Sequence, residues 1–190
     1  WTSRVWRYDY DTQGNLIRFT DPLGNATTYT YDTNHNLTSI TAPHQQPDGP
    51  AYVTNVYDAA TDKITSQTYG DGTTTFSYDE AKRTTTVTDR NGTTWIWTAD
   101  DAGHLSRQEV LTRGLRATDP PSFVTSYTYN TDGQRNQAIL PRGNVVKWLY
   151  DSTNAESRAH GNLLELRRKP LPGSSEPDLV SRFAYEPQFH

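Results

Sequence analysis

The chain has 190 residues, 33% hydrophobic and 12% aromatic, with a formal net charge of -4 and no cysteine. These values exclude disulfides and thiolate metal sites. The absence of a basic stripe argues against a nucleic-acid partner, and no apolar run approaches the ~18 residues of a membrane helix. The low mean hydropathy of -0.86, set against abundant Thr, Tyr and Trp, points to thin β structure with half-buried surfaces rather than to disorder. The chain opens at Trp1 without a signal-peptide pattern and contains no Met, so it reads as a piece of a longer protein.

In chain order, the first marker is Tyr8-x-Tyr10-Asp11. Leu16 to Thr20 reads as a short strand with Ile17 and Phe19 on one face. Asp21-Pro22-Leu23-Gly24-Asn25 is a turn, because Pro presets φ and Gly tolerates positive φ. Ala26 to Tyr31 is the return strand, with Tyr29 and Tyr31 on one face and Thr28 and Thr30 on the other. Asp32 to Asn36 turns the chain again, and Leu37 to Thr41 begins the next hairpin. Ala42 to Pro50, with three prolines, is a loop.

Further hairpins follow: Lys63 to Tyr69 and Thr73 to Tyr78 around Gly70-Asp71-Gly72, then Thr84 to Thr88 and Thr93 to Trp97 around Asp89-Arg90-Asn91-Gly92. Arg113 to Ser122 is a second loop. Gln134 to Leu140 and Val145 to Tyr150 flank Pro141-Arg142-Gly143-Asn144. Ser152 to His160 reads as an insertion able to form one helical turn. Lys169 to Asp178, rich in proline, is the third loop. Arg167-Arg168-Lys169 reads as a solvated strand end rather than a phosphate patch.

One pattern recurs throughout: aromatic, any residue, aromatic, then an acid or amide. It stands at Tyr8-x-Tyr10-Asp11, Tyr29-x-Tyr31-Asp32, Phe76-x-Tyr78-Asp79, Tyr127-x-Tyr129-Asn130, Trp148-x-Tyr150-Asp151 and Phe183-x-Tyr185-Glu186. Asn55-x-Tyr57-Asp58 and Trp97-x-Ala99-Asp100 keep one aromatic each. First slots lie 21 residues apart at 8 and 29, 55 and 76, 76 and 97, and 127 and 148, and a fixed period marks a repeat architecture. The aromatics are therefore expected in cross-strand ladders on one face. The acid after the second aromatic is expected to bond the turn backbone two residues on.

Tyr10-Asp11-Thr12-Gln13-Gly14-Asn15-Leu16 and Tyr31-Asp32-Thr33-Asn34-His35-Asn36-Leu37 resemble the YD repeat, also called the RHS repeat. Departures mark the places where register is least secure. His35 stands where Gly is expected, which implies an altered turn or a positive φ. Thr61 and Lys82 occupy the Gly place after Tyr57-Asp58 and Tyr78-Asp79. Gly161-Asn162-Leu163 arrives late, behind the insertion. The resemblance implies an all-β fold, with consecutive antiparallel β-hairpins in a curved or spiralling YD-repeat sheet over a single block, residues 1–190. In toxin complexes, RHS polymorphic toxins and teneurins such sheets build shells. The implied role is a structural segment, non-catalytic in itself, that encapsulates or presents a toxin or effector domain. Its partners would be flanking repeats and a C-terminal effector or toxin domain of the same polypeptide. The implied location is secreted or cell-surface, with a bacterial source.

No catalytic motif is present: no Gly-x-Ser-x-Gly, no His-Glu-x-x-His and no phosphate loop. The five histidines, His35, His44, His104, His160 and His190, are scattered without metal-ligand spacing. No metal and no cofactor is expected. Asp21-Pro22-Leu23-Gly24 echoes the wording of the family's autoprotease region but lies in an ordinary repeat turn. The alternative function is an extracellular carbohydrate-binding or adhesion module. Trp95, Trp97 and Trp148 would then be the glycan-stacking residues and a cell-surface glycan the partner.

Overall fold

A computed structural model describes residues 4–45, 49–114, 116–152 and 161–186. The chain folds into β1 (Arg7–Tyr10), β2 (Leu16–Thr20), β3 (Ala26–Tyr31), β4 (Leu37–Thr41), β5 (Val53–Tyr57), β6 (Ile64–Tyr69), β7 (Gly72–Asp79) and β8 (Thr84–Thr88). It continues with β9 (Thr94–Ala99), β10 (Leu105–Leu111), β11 (Ser122–Tyr129), β12 (Arg135–Ile139), β13 (Val145–Tyr150), β14 (Leu163–Lys169) and β15 (Leu179–Arg182). A short 3-10 turn at Pro43–Gln45 is the one helical element among the described residues. The expected helical turn at 152–160 lies almost wholly outside them.

The hydrogen-bonded order of the strands is their order in sequence, so the chain is an antiparallel meander. It forms two compact units, one of residues 1–77 with 87–92 and one of residues 78–86 with 93–190. Among the described residues only Ala26, Val87 and Ala138 are buried. Side chains are instead half-covered by their neighbours across the strands, the surface that Thr and aromatic residues suit best.

A β-bulge recurs beside one class of turn. Where the outgoing strand follows the aromatic-x-aromatic strand or its degraded copy, the ladder skips that strand's second residue. Tyr10 faces Leu16 while Asp9 faces Arg18, passing over Ile17. Thr38, Thr65, Ser106, Asn136 and Leu164 are passed over in the same way. The pairs β2–β3, β6–β7 and β12–β13, joined by the other class of turn, run without a slip. A bulged residue leaves the ladder unpaired, and at Ser106, Thr65 and Asn136 its side chain compensates. Ser106 Oγ donates to Thr98 O at 3.1 Å, Thr65 Oγ1 to Val56 O at 3.2 Å, and Asn136 Oδ1 accepts from Thr128 Oγ1 at 2.6 Å.

Residues directly opposite share a face, so the register assigns both faces. In the first unit Tyr29, Ile40, Val53 and Tyr69 form one row. On the other face Thr30, Ser39, Thr54, Thr68 and Thr73 form a hydroxyl row. In the second unit Tyr127, Ala138, Val146, Arg168 and Leu179 lie on the aromatic face.

The aromatics do keep to one face, yet their direct partners are mostly not aromatic. Tyr29 faces Ile40, Tyr127 faces Ala138, Trp97 faces Gln108 and Trp148 faces Leu166. The reason is that every second strand carries the aromatics, about 9–10 Å apart, and the intervening strand supplies Leu, Ile, Ala or Gln. Ring contacts do occur between Tyr8 and Phe19 at 5.2 Å and between Tyr52 and Tyr69 at 4.3 Å.

The second tyrosine of the repeat has a specific task. Its hydroxyl donates to the carbonyl of the first residue of the preceding strand. Tyr31 reaches Leu16 O at 3.0 Å, Tyr57 reaches Leu37 O at 3.0 Å, and Tyr129 reaches Leu105 O at 2.8 Å. Tyr150 reaches Arg135 O at 3.1 Å and Tyr185 reaches Leu163 O at 3.0 Å. The ring covers the strand end while the hydroxyl ties it down. A bond of this kind contributes about 0.5–1.5 kcal/mol net.

Tyr57→Phe deletes one such hydroxyl without changing the ring. We expect urea unfolding of the variant to show a loss of about 1 kcal/mol. Tyr69→Phe, which keeps its ring contact, should stay within about 0.5 kcal/mol of the parent. Equal effects from the two would remove the special role of the second slot.

Candidate functional site

The most regular chemistry lies in the turns. Asp11 Oδ1 accepts from Gln13 N at 2.9 Å and Asn15 N at 2.8 Å, while Oδ2 accepts from Asn15 Nδ2 at 2.9 Å. Asp11 N donates to Asn15 O at 3.0 Å and Gly14 N to Asp11 O at 3.2 Å. One carboxylate thus clasps a whole five-residue turn. The expected bond two residues on is present, and bonds four residues on accompany it.

Asp21 repeats the clasp with Leu23 N, Asn25 N and Asn25 Nδ2 at 2.8, 2.9 and 2.7 Å. Its carboxylate is committed to turn amides, which supports the reading of Asp21-Pro22-Leu23-Gly24 as a turn. The two turns of a hairpin therefore share one geometry, although only one borders a bulge. Asp32 with Asn36, Asp100 with His104, and Asn130 with Gln134 repeat the i to i+4 clasp.

The fourth turn residue needs positive φ. Gly14 and Gly24 both sit at 88°, where a β-carbon is disfavoured. His35 adopts 65° in the same place, inside a complete clasp from Asp32. The turn is therefore unaltered and the histidine takes the unusual conformation. Its Nδ1 lies 2.8 Å from Asn15 Oδ1 of the neighbouring turn.

Thr61 and Lys82 do not occupy the Gly place. The positive φ falls one residue later, on Asp62 (56°) and Arg83 (51°). The turn after Asp58 is one residue longer, closing from Asp58 N to Lys63 O at 2.8 Å. Thr61 instead donates its N and Oγ1 to Asp58 Oδ1 at 2.9 and 2.8 Å. Lys82 gives Asp79 its N at 3.0 Å and Nζ at 2.7 Å. Ahead of the late Gly161, Asp151 N still donates to Asn162 O at 2.8 Å. The insertion is thus spliced into a turn whose base is unchanged.

Neighbouring turns also bond one another. In the first unit Asn34 Nδ2 and Asn36 Nδ2 donate to Asp62 Oδ1 at 2.8 and 3.0 Å. In the second, Gln134 Nε2 donates to Gly161 O at 3.1 Å, and the His104 ring stacks on Tyr129 at 4.6 Å.

These bonds shift the carboxyl groups. The Asn15 amide holds Asp11 below its ordinary value of 3.8, and the Asn25 amide does the same to Asp21. Thr61 lowers Asp58 and Lys82 lowers Asp79. At Asp32 and Asp100 burial pulls upward, and the bonds from Asn36 and His104 outweigh it.

Of the tryptophans expected to stack a glycan, Trp95 and Trp97 share one face of β9 and Trp148 stands apart on β13. Trp95 and Trp97 face Val110 and Gln108 on β9. Trp148 faces Leu166 on β13, four strands away on the same face. Trp97 is 36% exposed, and Trp95 and Trp148 are half-buried. Among the described residues no three of His, Asp and Glu are placed to hold a metal ion; His160 and His190 lie outside them.

The sequence did not point to an open hollow over β11–β14. Its volume is about 500 Å³; Thr128, Gln137, Lys147, Glu165, Arg167 and Lys169, whose register places them on the face opposite the tryptophans, are among its lining residues, and Trp148 also borders it. Strand alternation splits the basic run, because Arg167 and Lys169 share this face while Arg168 opposes Val146 on the other.

Two predictions concern the turns. No atom lies within 4 Å of a β-carbon placed on Gly14, whose φ is 88°. Gly14→Ala should therefore cost about 1–2 kcal/mol through backbone strain alone, measured by urea unfolding; no loss would show that the turn relaxes freely. The lowered Asp values also set an acid limit. A depressed folded value contributes stability in full above the ordinary carboxylate range and loses it as pH falls through the folded value. Melting temperature should hold between about pH 7 and 5 and fall below about pH 4. In Asn15→Ala, carboxyl NMR shifts should show Asp11 titrating closer to 3.8; an unchanged midpoint would contradict the assigned cause.

The RHS Repeat family pattern matches residues 10–47 and 57–96. No curated protein matches the chain. Among solved structures, the crystal structure of TcdB2-TccC3-Cdc42 superposes with a TM-score of 0.66 at 16% identity, over 94% of this chain and 10% of that one. The Photorhabdus luminescens Tc holotoxin pore gives 0.62 at 17% identity, over 93% and 9%. The crystal structure of TcdB2-TccC3-TEV gives 0.51 at 14%, over 97% and 11%. The chain thus spans about a tenth of the solved chains it matches, and at these identities the likeness concerns the fold. With the repeated turn and the meander already in place, residues 10–47 and 57–96 carry the RHS Repeat pattern, and the strands beyond them continue the same meander.

Proposed function

We propose that residues 1–190 form a single block of repeats within an RHS/YD-repeat shell that encapsulates or presents a toxin or effector domain. The block itself is structural and non-catalytic. The observation that carries this reading is the distribution of its chemistry: polar groups are spent on clasping turns and tying strand ends, one repeat after another. The fold likeness to TcdB2-TccC3 structures supports it. The partners on this reading are flanking repeats and a C-terminal effector or toxin domain of the same polypeptide, in a secreted or cell-surface bacterial protein.

The sheet edges suit such partners. Tyr8 and Tyr10 on β1 are 53% and 60% exposed, and Phe183 and Tyr185 beyond β15 are 42% and 41% exposed. The repeat tyrosines Tyr29, Tyr57 and Tyr127 on inner strands are half-buried, and an added repeat would cover Tyr8 and Tyr10 in the same way. Unpaired edges also recruit other chains. The isolated 190-residue chain should therefore show concentration-dependent association by analytical ultracentrifugation, and a monomer at high concentration would count against the edge proposal.

Limited proteolysis of the full-length protein tests enclosure. Sequence downstream of the repeats should resist protease until the repeats are unfolded; digestion at the rate of a free domain would overturn encapsulation. The exposure of Trp97 leaves an adhesion module as the second reading. It gains ground if a glycan panel protects the tryptophans from acrylamide quenching, and loses it if no glycan alters the quenching.

A further inference from the structure

We infer that the hollow on the non-aromatic face of β12–β14 is a docking site for an acidic, extended polypeptide segment. The two units differ on this face. The first presents the hydroxyl row from Thr30 to Thr73, which carries no charge. In the second, the corresponding row across β11 to β15 reads Thr128, Gln137, Lys147, Arg167 and Val180. Four of these side chains offer hydrogen-bond donors, and two of those four are cations. Lys169 lies two residues along the strand from Arg167, on the same face.

The partners of these cations indicate what the site takes. Glu165 Oε1 accepts from Arg167 Nε at 2.9 Å and Oε2 from Arg182 Nε at 3.2 Å. This carboxylate fixes the guanidinium in place. Asp178, just before β15, puts its Oδ2 3.3 Å from Arg167 Nη1 and 3.8 Å from Lys169 Nζ. A carboxylate from the chain's own loop thus already occupies one corner, bridging two cations loosely. Lys147, directly opposite Arg167 on the neighbouring strand, is exposed and bonds no described residue.

Spacing favours a polypeptide as the ligand. Side chains on one face of an extended segment recur every ~6.8 Å, the same interval that separates Arg167 from Lys169 along β14. Neighbouring strands stand ~4.8 Å apart, so Lys147 flanks the same track. A segment laid along β14 with acids at alternate positions would meet Arg167 and Lys169 in turn and Lys147 from the side. Leu149, 58% exposed on the same face, offers an apolar contact beside the cations. The inference rests on these groups alone and holds whether or not the sheet belongs to a shell.

The test uses the 190-residue chain and an acetylated peptide of about ten glutamates, roughly 33 Å when extended, with isothermal titration at low salt. Saturable binding is expected, weakened by added salt. Lys147→Gln should weaken it by roughly threefold. Arg18→Gln, an exposed cation on β2, should leave it unchanged. Asp178→Asn removes the resident carboxylate and should tighten binding. Circular dichroism and melting temperature establish that each variant keeps its fold. Absence of binding, equal loss from Lys147→Gln and Arg18→Gln, or weaker binding in Asp178→Asn would each overturn the inference. Tighter binding of a heparin oligosaccharide than of the glutamate peptide would also overturn it, in favour of an acidic polysaccharide.

Discussion

A turn exposed at the edge of a sheet has no neighbouring strand to accept its backbone N–H groups, which are left to water or to the turn's own side chains. In this chain one carboxylate takes that role. Asp11, Asp21 and Asp32 each take two backbone N–H groups and one side-chain amide. This fixes the turn at five residues with a positive φ at the fourth. Fixed turn length in turn fixes which residues of the two strands face each other, and a one-residue slip would exchange the faces of the sheet. The tyrosine hydroxyl bonds and the bulges both depend on that register.

The design spreads stability along the chain. With three buried residues among those described, no large central core holds either unit together. Each strand is secured by its neighbours, through half-buried aromatics against Ile, Ala, Leu or Gln and through hydroxyl ties to strand ends. Such a sheet tolerates insertion at its turns, as the unchanged base at Asp151 and Asn162 illustrates. It also leaves both faces free to diverge. The hydroxyl row in the first unit and the cationic hollow in the second occupy the same side of comparable hairpins.

Much of this was legible in the residues. The aromatic-x-aromatic-Asp period marked the hairpins, and Leu16–Thr20, Ala26–Tyr31, Leu37–Thr41, Thr84–Thr88 and Val145–Tyr150 begin and end where alternation and turn residues place them. The His35 position was correctly marked as a conflict, since only a positive φ fits there. The extra residue in the turns after Asp58 and Asp79 was not legible. Asp62 is only a weak marker of the left-handed conformation and Arg83 is none, whereas Gly advertises it elsewhere. The bulges at Ile17, Thr38 and Ser106 were also hidden, because a bulge changes register without changing composition. The hollow escaped notice because Thr128 and Lys147 are far in sequence from Arg167 and Lys169, and the Arg167-Arg168-Lys169 run had to be split by alternation first.

Amide hydrogen exchange, followed by NMR, most directly tests the claim that the turn carboxylate sets the register. The amides of Asn15, Asn36 and Gln134 donate to an Asx side chain four residues back. Those of Thr12, Thr33 and Thr131 make no such bond. The account predicts that the first three exchange as slowly as amides inside the flanking strands while the second three exchange freely. Fast exchange at all six, with the strands still protected, would show that the turns are held by the strands and not the reverse.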